Sequence, residues 1–543
     1  MKKLSILFFV LSLYLPFSTS AQTDPVVEKI IEIGSTDNQS MNHLDVLCNR
    51  FGGRLIGSDA YENAAEWAAY KFREWGMEVE FDEAGEIPVG FNRGPWFGRM
   101  LGEEGMNLHF ATPSYTSGTK GVQRGPVLIE PKTQAEFDRM KGALKGAWVL
   151  ISGENQGYPI DYSAQADILR DSIKAENAKI EEKNNEIRRE NWYARGSDQP
   201  KKELLPLKEE PALFYKEMRE AGILGIIQSS KTPIQAMYDR KNTMDMTWKT
   251  LPTVPDIKLD AKQYAKIKRM AEERRYFLLE FDIRNHFKMG PIKYHNVIGI
   301  IEGSEFPDEY VIMGGHLDAY DVATGGVDDG SGVTPTMEAA RLIMEAGGKP
   351  KRTILVVLWA GEEFGLLGSQ SWIDRNADKL GNLSNMVNRD GGPTVPTGIS
   401  VSAAMMDDFK AICAPLHDIN PDFPFEISER KPRNKPSKAW GTDSGPFAVE
   451  GVPTIGFRCT DPKGYNFSYQ EIWHTERDTY NKSIPEYQEH AAICTAVMVY
   501  GIANLDHLLD RTDYYLVERV DDDKPVNEVQ KKGKKKNRKD DKT

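Results

Sequence analysis

The stretch GGHLDAYDVATGGVDDGSG, from Gly314 to Gly332, gathers one histidine and four aspartates into a glycine-rich segment without a lysine or arginine. Carboxylates crowded around a histidine repel one another unless something positive sits among them. Just before this stretch, EYVIMGG reads as an apolar strand that runs into it. Its end, SGVTPTMEAARLIMEAGG, reads as a helix with Ser331 as N-cap and Gly347 and Gly348 as its stop. The acids therefore fall between a buried strand and the helix that follows it.

Working outward, TILVVLWAG is the continuous apolar run of a parallel strand buried on both faces. LSNMVNRDGG and VPTIGF read as further strands, with helices between them to about Leu509. The fold class expected is α/β, an open and mostly parallel sheet flanked by helices. In such sheets ligands sit outside the carboxyl ends of the strands. His316 and Asp318 follow VIMGG, Glu362 and Glu363 follow LVVLWAG, and Asp390 follows NMVNR. Asp328 and Asp329 precede the helix, and His474 comes from a late loop, IWHTERDTY. Two histidines and several carboxylates thus converge on one edge.

The rest of the 543 residues surrounds this edge. The start, MKKLSILFFVLSLYLPFSTSAQ, has a lysine pair, an apolar run and small residues, the layout of a signal peptide over 1–21. It predicts a secreted or periplasmic protein, and no other run is long enough to span a membrane. Residues 22–120 read as the first part of the catalytic domain and 256–515 as the remainder. Between them, 121–255 reads as a mostly β insert, GPVLIE, GAWVLISG and AGILGIIQSS being short strands. Within it, residues 161–211 are charged and helical in period. Residues 516–543 form a basic tail, KKGKKKNRKDDKT at its end, expected to be disordered. With a net charge of −12 that includes this tail, the body is acidic, which argues against a nucleic-acid partner.

Metal ions resolve the repulsion on the sheet edge. Imidazole and carboxylate without thiolate suit zinc. Two metals need about four protein ligands each once a carboxylate is shared, with water completing the sphere. His316, Asp328, Glu363, Asp390 and His474 are five candidates, and one glutamate remains as a general base.

GGHLDAYDVATGGVDDGSG, then LWAGEEFGLLGS, then an aspartate after a strand, then HTERDT resembles the dizinc exopeptidases of the aminopeptidase type. The likeness extends from about Asn42 to about Leu509, and the insert resembles a protease-associated domain. The resemblance implies that His316 and Asp390 bind one zinc ion, Glu363 and His474 a second, and Asp328 both, with a cis peptide to Asp329. It implies that Glu362 activates a bridging water and that Asp318 orients His316. The activity implied is hydrolysis of dipeptides or of the N-terminal residue of peptides, by a homodimer. TDSGPF, Thr442 to Phe447, departs from the family pattern, which often has a histidine or other bulky residue there. Two other readings are an inactive binding protein on the same scaffold and a single-zinc acyltransferase like glutaminyl cyclase. The complete ligand set speaks against both.

Overall fold

The computed structural model describes residues 24–195 and 200–516. The signal segment 1–21 and all but the first residue of the tail 516–543 lie outside the described residues. At the centre is a five-stranded sheet in the order Glu78–Asn92, His286–Ile301, Arg352–Trp359, Phe306–His316, Leu383–Asn388. The last three strands pair in parallel and the first two join antiparallel. The expected mostly parallel sheet is therefore a mixed one, parallel in the half that carries the candidate residues. The antiparallel half is made by the strands on either side of the insertion, the second returning along the first. Every residue of Arg352–Trp359 is buried, as its unbroken apolar run requires.

Two helices cover one face at close quarters, Gly330–Glu345 and Pro485–Ala503. The second is buried almost all round, the condition in which a helix loses its polar face. The first starts two residues ahead of the sequence reading, with Asp329 at the N-cap position and no side-chain cap. The Asp329 carboxylate is engaged elsewhere, accepting from the His316 backbone N–H at 3.0 Å. Ser331 bonds back to the Val327 carbonyl at 2.8 Å instead of capping.

The inserted unit is wider than 121–255 and less β-rich than expected. Its four-stranded sheet takes Trp96–Leu101, Met106–Asn107, Leu278–Ile283 and Gln123–Gly125, and its five-stranded sheet takes Phe110–Ala111 and Asp256–Asp260. Strands from both flanks of the sequence boundaries close these sheets, so the unit runs from Trp96 to Ile283. Two of the flanking strands do alternate, DIKLD over Asp256–Asp260 and LEFDI ending at Ile283, and mark the wider unit in the sequence. Inside 121–255, helices including Gln134–Leu144 and Ala164–Tyr193 outweigh the strands.

The charged stretch is a 30-residue helix, Ala164–Tyr193, capped by Ser163, whose hydroxyl accepts from the Ala166 N–H at 3.2 Å. An extended return runs back along it. Asn177, Asn184 and Asn191 each bond both ways to one backbone unit of the return, at Lys208, Leu205 and Lys202, over 2.8–3.0 Å. Seven helical residues rise about 10.5 Å, and three extended residues span roughly 9–10 Å. The two spacings match, so one asparagine every second turn meets every third residue of the return.

Candidate metal centre

The candidate side chains come together at the carboxyl end of the parallel strands. His316 is the last residue of its strand, and its imidazole Nε2 lies 3.2 Å from Asp328 Oδ1 and 3.8 Å from Asp390 Oδ1. On the other side, His474 Nε2 lies 3.1 Å from Glu363 Oε2 and 3.7 Å from Asp328 Oδ2. Asp328 thus turns one oxygen to each histidine. Its peptide bond to Asp329 is cis, and the Tyr469 hydroxyl donates to its Oδ2 at 3.2 Å. Ligand atoms of His316, Asp328 and Glu363, and of His316, Asp329 and Asp390, lie within 4.8 Å of one another in each group.

Both imidazoles are held through Nδ1, which turns Nε2 toward the carboxylates. His316 Nδ1 faces the Asp318 backbone carbonyl at 2.9 Å, whereas the Asp318 carboxylate is 3.7 Å away. That carboxylate accepts from the backbone N–H groups of Glu362 and Glu363, each at 3.2 Å. Asp318 therefore orients His316 by its main chain and fixes the two-glutamate loop by its side chain. His474 Nδ1 meets the sulfur of Met237 at 3.1 Å. The His474 backbone is left-handed, with φ of 55°, a conformation a non-glycine residue holds only when its surroundings impose it.

Among the described residues no lysine or arginine pairs with these carboxylates, and the electrostatics reflect it. Burial pushes the Glu362 carboxyl up to about 10, helped by Glu363 and Asp390. Glu363 and Asp329 are raised well above the usual range by the same desolvation. Burial lowers His474 to about 4. It also opposes charge on His316, but Asp328 and Asp390 overcome it and raise that imidazole well above its ordinary value. Two buried oxygens, Asp329 Oδ1 and Glu363 Oε1, have no hydrogen-bond partner among the described residues. Unpartnered buried oxygens, an imidazole Nε2 from each histidine turned toward the carboxylates and an excess of acidic groups together fit divalent cations.

Three neighbours escaped the sequence reading. Asp443 is fully buried, accepts from the Ser369 hydroxyl at 2.6 Å, and is pushed to about 7 by burial. It stands in TDSGPF, where departure from the family pattern was the available signal. Asn296, also fully buried, accepts from the Ala360 N–H at 2.9 Å and donates to the Gly368 carbonyl at 3.1 Å, holding both ends of the glutamate loop. Met237 belongs to the inserted unit, and nothing in its local sequence marks it. Asp478, by contrast, lies in the quoted HTERDT. It accepts from the Val327 and Asp328 N–H groups at 2.7 and 3.3 Å, fixing the turn that presents Asp328.

Residues 296–498 match the model of peptidase family M28, a span that begins at Asn296 and contains every candidate ligand. Over 505 residues the chain is 25% identical to carboxypeptidase Q of Mus musculus and 26% identical to that of Homo sapiens, covering 91% of this chain and 92% of each relative. A Peptidase M28 precursor from Shewanella amazonensis has the same fold, with a TM-score of 0.53 and 20% identity over 89% of this chain and 97% of its own. With the likeness to peptidase family M28 lying on the site-bearing sheet and the likeness to carboxypeptidase Q running along most of the chain, the protein is a metallopeptidase.

Proposed function

We propose that the protein is an exported, zinc-dependent exopeptidase that hydrolyses dipeptides or releases the N-terminal residue of peptides. The observation that carries this reading is the position of Asp328, with one oxygen toward His316, which also faces Asp390, and the other toward His474, which also faces Glu363. His316 and Asp390 would hold one zinc ion, Glu363 and His474 a second, and Asp328 both. Bound there, a zinc pair supplies Lewis acidity toward the scissile carbonyl and lowers the pKa of attacking water. Glu362 is not needed as a ligand and serves as the base, taking a proton from water and returning it to the leaving amine. Asp318 keeps it in place through the two loop N–H groups. Export rests on residues 1–21.

Metal content measured beside dipeptide hydrolysis, on wild type and Glu362→Gln, tests this. Two zinc ions per chain in both proteins, with hydrolysis lost only in the variant, is the expected result. A metal-stripped wild type that stays fully active would overturn it.

A further inference from the structure

The two histidines of the site are anchored by different parts of the molecule. His316 is fixed within the central sheet, by the Asp318 carbonyl and the Asp329 carboxylate. His474 is fixed by the inserted unit. Gln235 bridges to Thr475, the Ala236 N–H donates to the His474 carbonyl at 3.1 Å, and the Glu476 N–H donates to the Ile234 carbonyl at 3.0 Å. The next residue along, Met237, offers its sulfur to His474 Nδ1. Tyr238 then donates its hydroxyl to the backbone carbonyl of Glu363, the ligand that faces His474.

The rings repeat the connection. Phe364, which follows Glu363, stacks on Tyr238 with centroids 4.2 Å apart and planes 17° apart. Tyr238 stacks on Tyr320 at 5.7 Å, and Tyr320 lies 4.1 Å from the His474 imidazole. A continuous aromatic arc therefore runs from Glu363 to His474, and its middle ring is borrowed from the inserted unit. No hydrogen bond, ion pair or ring contact joins this segment to His316 or Asp390 among the described residues.

We infer that residues 234–238 of the inserted unit set the affinity of one metal position only, that of Glu363 and His474, with Met237 and Tyr238 as positioning residues. The inference rests on the two-zinc reading above. The Met237 sulfur, a weak acceptor, selects the His474 tautomer whose Nε2 is free, and Tyr238 fixes the carbonyl next to the Glu363 side chain. Residues 234–238 lie between strands of the inserted unit yet pack into the core of the central sheet, so this segment is part of the metal centre.

Zn2+ titrated into the metal-stripped full-length protein, followed by calorimetry, separates the two positions. Wild type is expected to take up two equivalents. Met237→Leu with Tyr238→Phe should retain one at wild-type affinity and weaken the other by about 10–100-fold, the usual effect of losing an outer partner of a ligand. Met237→Gln, which returns an acceptor to Nδ1, should restore most of that affinity, as a volume-filling role would not. Equal weakening of both positions, or no change in either, would overturn the inference while leaving the two-zinc reading intact. Fewer than two equivalents in wild type would overturn both. Should the double variant fail to fold, Tyr238→Phe alone, which keeps the ring stack, gives the same reading.

Discussion

The central sheet and the five-stranded sheet of the inserted unit both bury charged side chains, and they treat them in opposite ways. In the inserted unit, Lys258 is fully buried yet paired with an opposite charge. Its ammonium donates to Gln228 Oε1 at 2.8 Å and pairs with Asp256 Oδ1 at 3.0 Å, while Asp256 also accepts from the Ile160 N–H at 2.7 Å. In the central sheet, carboxylates from three strand ends meet two imidazoles with no lysine or arginine paired to them among the described residues. A satisfied buried pair is a structural element; an excess of one sign in a buried cluster is a binding site awaiting its counter-charge. The contrast separates function from architecture without appeal to which residue types are present, since both clusters contain aspartate.

Substitutions that exchange these roles should separate them experimentally. The largest effect is expected for Glu362→Gln, which should lower kcat by about 10²–10⁴-fold, the span of general base catalysis, with metal content and thermal midpoint held. Asp256→Ala should do the reverse. It strands the Lys258 charge and should cost about 3–5 kcal/mol of stability in denaturant unfolding, leaving the kcat of the folded fraction unchanged. A loss of kcat equal to that of Glu362→Gln would erase the distinction.

The pH dependence of the metal-free protein sharpens it further. Burial pushes Asp443 and Asp478 up to about 7, so the folded chain keeps protons that the unfolded chain releases near pH 4. With Glu362 raised as well, these carboxyls outweigh His474, whose lowered value acts in the opposite direction, so stability falls as pH rises from about 4 to 7. A drop of roughly 5 °C or more in thermal midpoint is expected, and zinc should flatten it. The smallest effect belongs to the arm. Asn184→Ala removes one doubly bonded rung and should cost about 1–2 kcal/mol locally, seen as faster proteolysis or hydrogen exchange across 200–210 with hydrolysis unaltered.

The halves of the site differed in how much of them could be read from the sequence. His316, Asp328, Glu363 and Asp390 lie at ends of elements whose apolar runs announce them, so their convergence follows from strand order alone. The bracing of His474 comes from Met237, 237 residues away, through a fold-level contact that leaves no periodic trace. VPTIGF, read as a strand, is irregular over Val452–Ile455, and pairing starts only at Phe457–Thr460. There the chain is buried to carry the Asn385 contacts to Ile455, at 2.9 and 3.1 Å, instead of a ladder. Burial alone produced the apolar run, and local pattern does not distinguish the two. The closing strands of the insert were legible, since DIKLD at Asp256–Asp260 and LEFDI ending at Ile283 alternate, but they lie beyond the boundary drawn at residue 255.

The asparagine rungs of the arm have a consequence for how its length can change. Because seven residues of helix answer three of the return, the smallest piece that can be added or removed in register is ten residues, seven from one side and three from the other. Deletions of that composition should yield a shorter arm that still closes, whereas any other number leaves asparagines opposite side chains instead of peptide groups. The arm is therefore built in whole units, and natural or engineered variants of it should differ in length by multiples of ten.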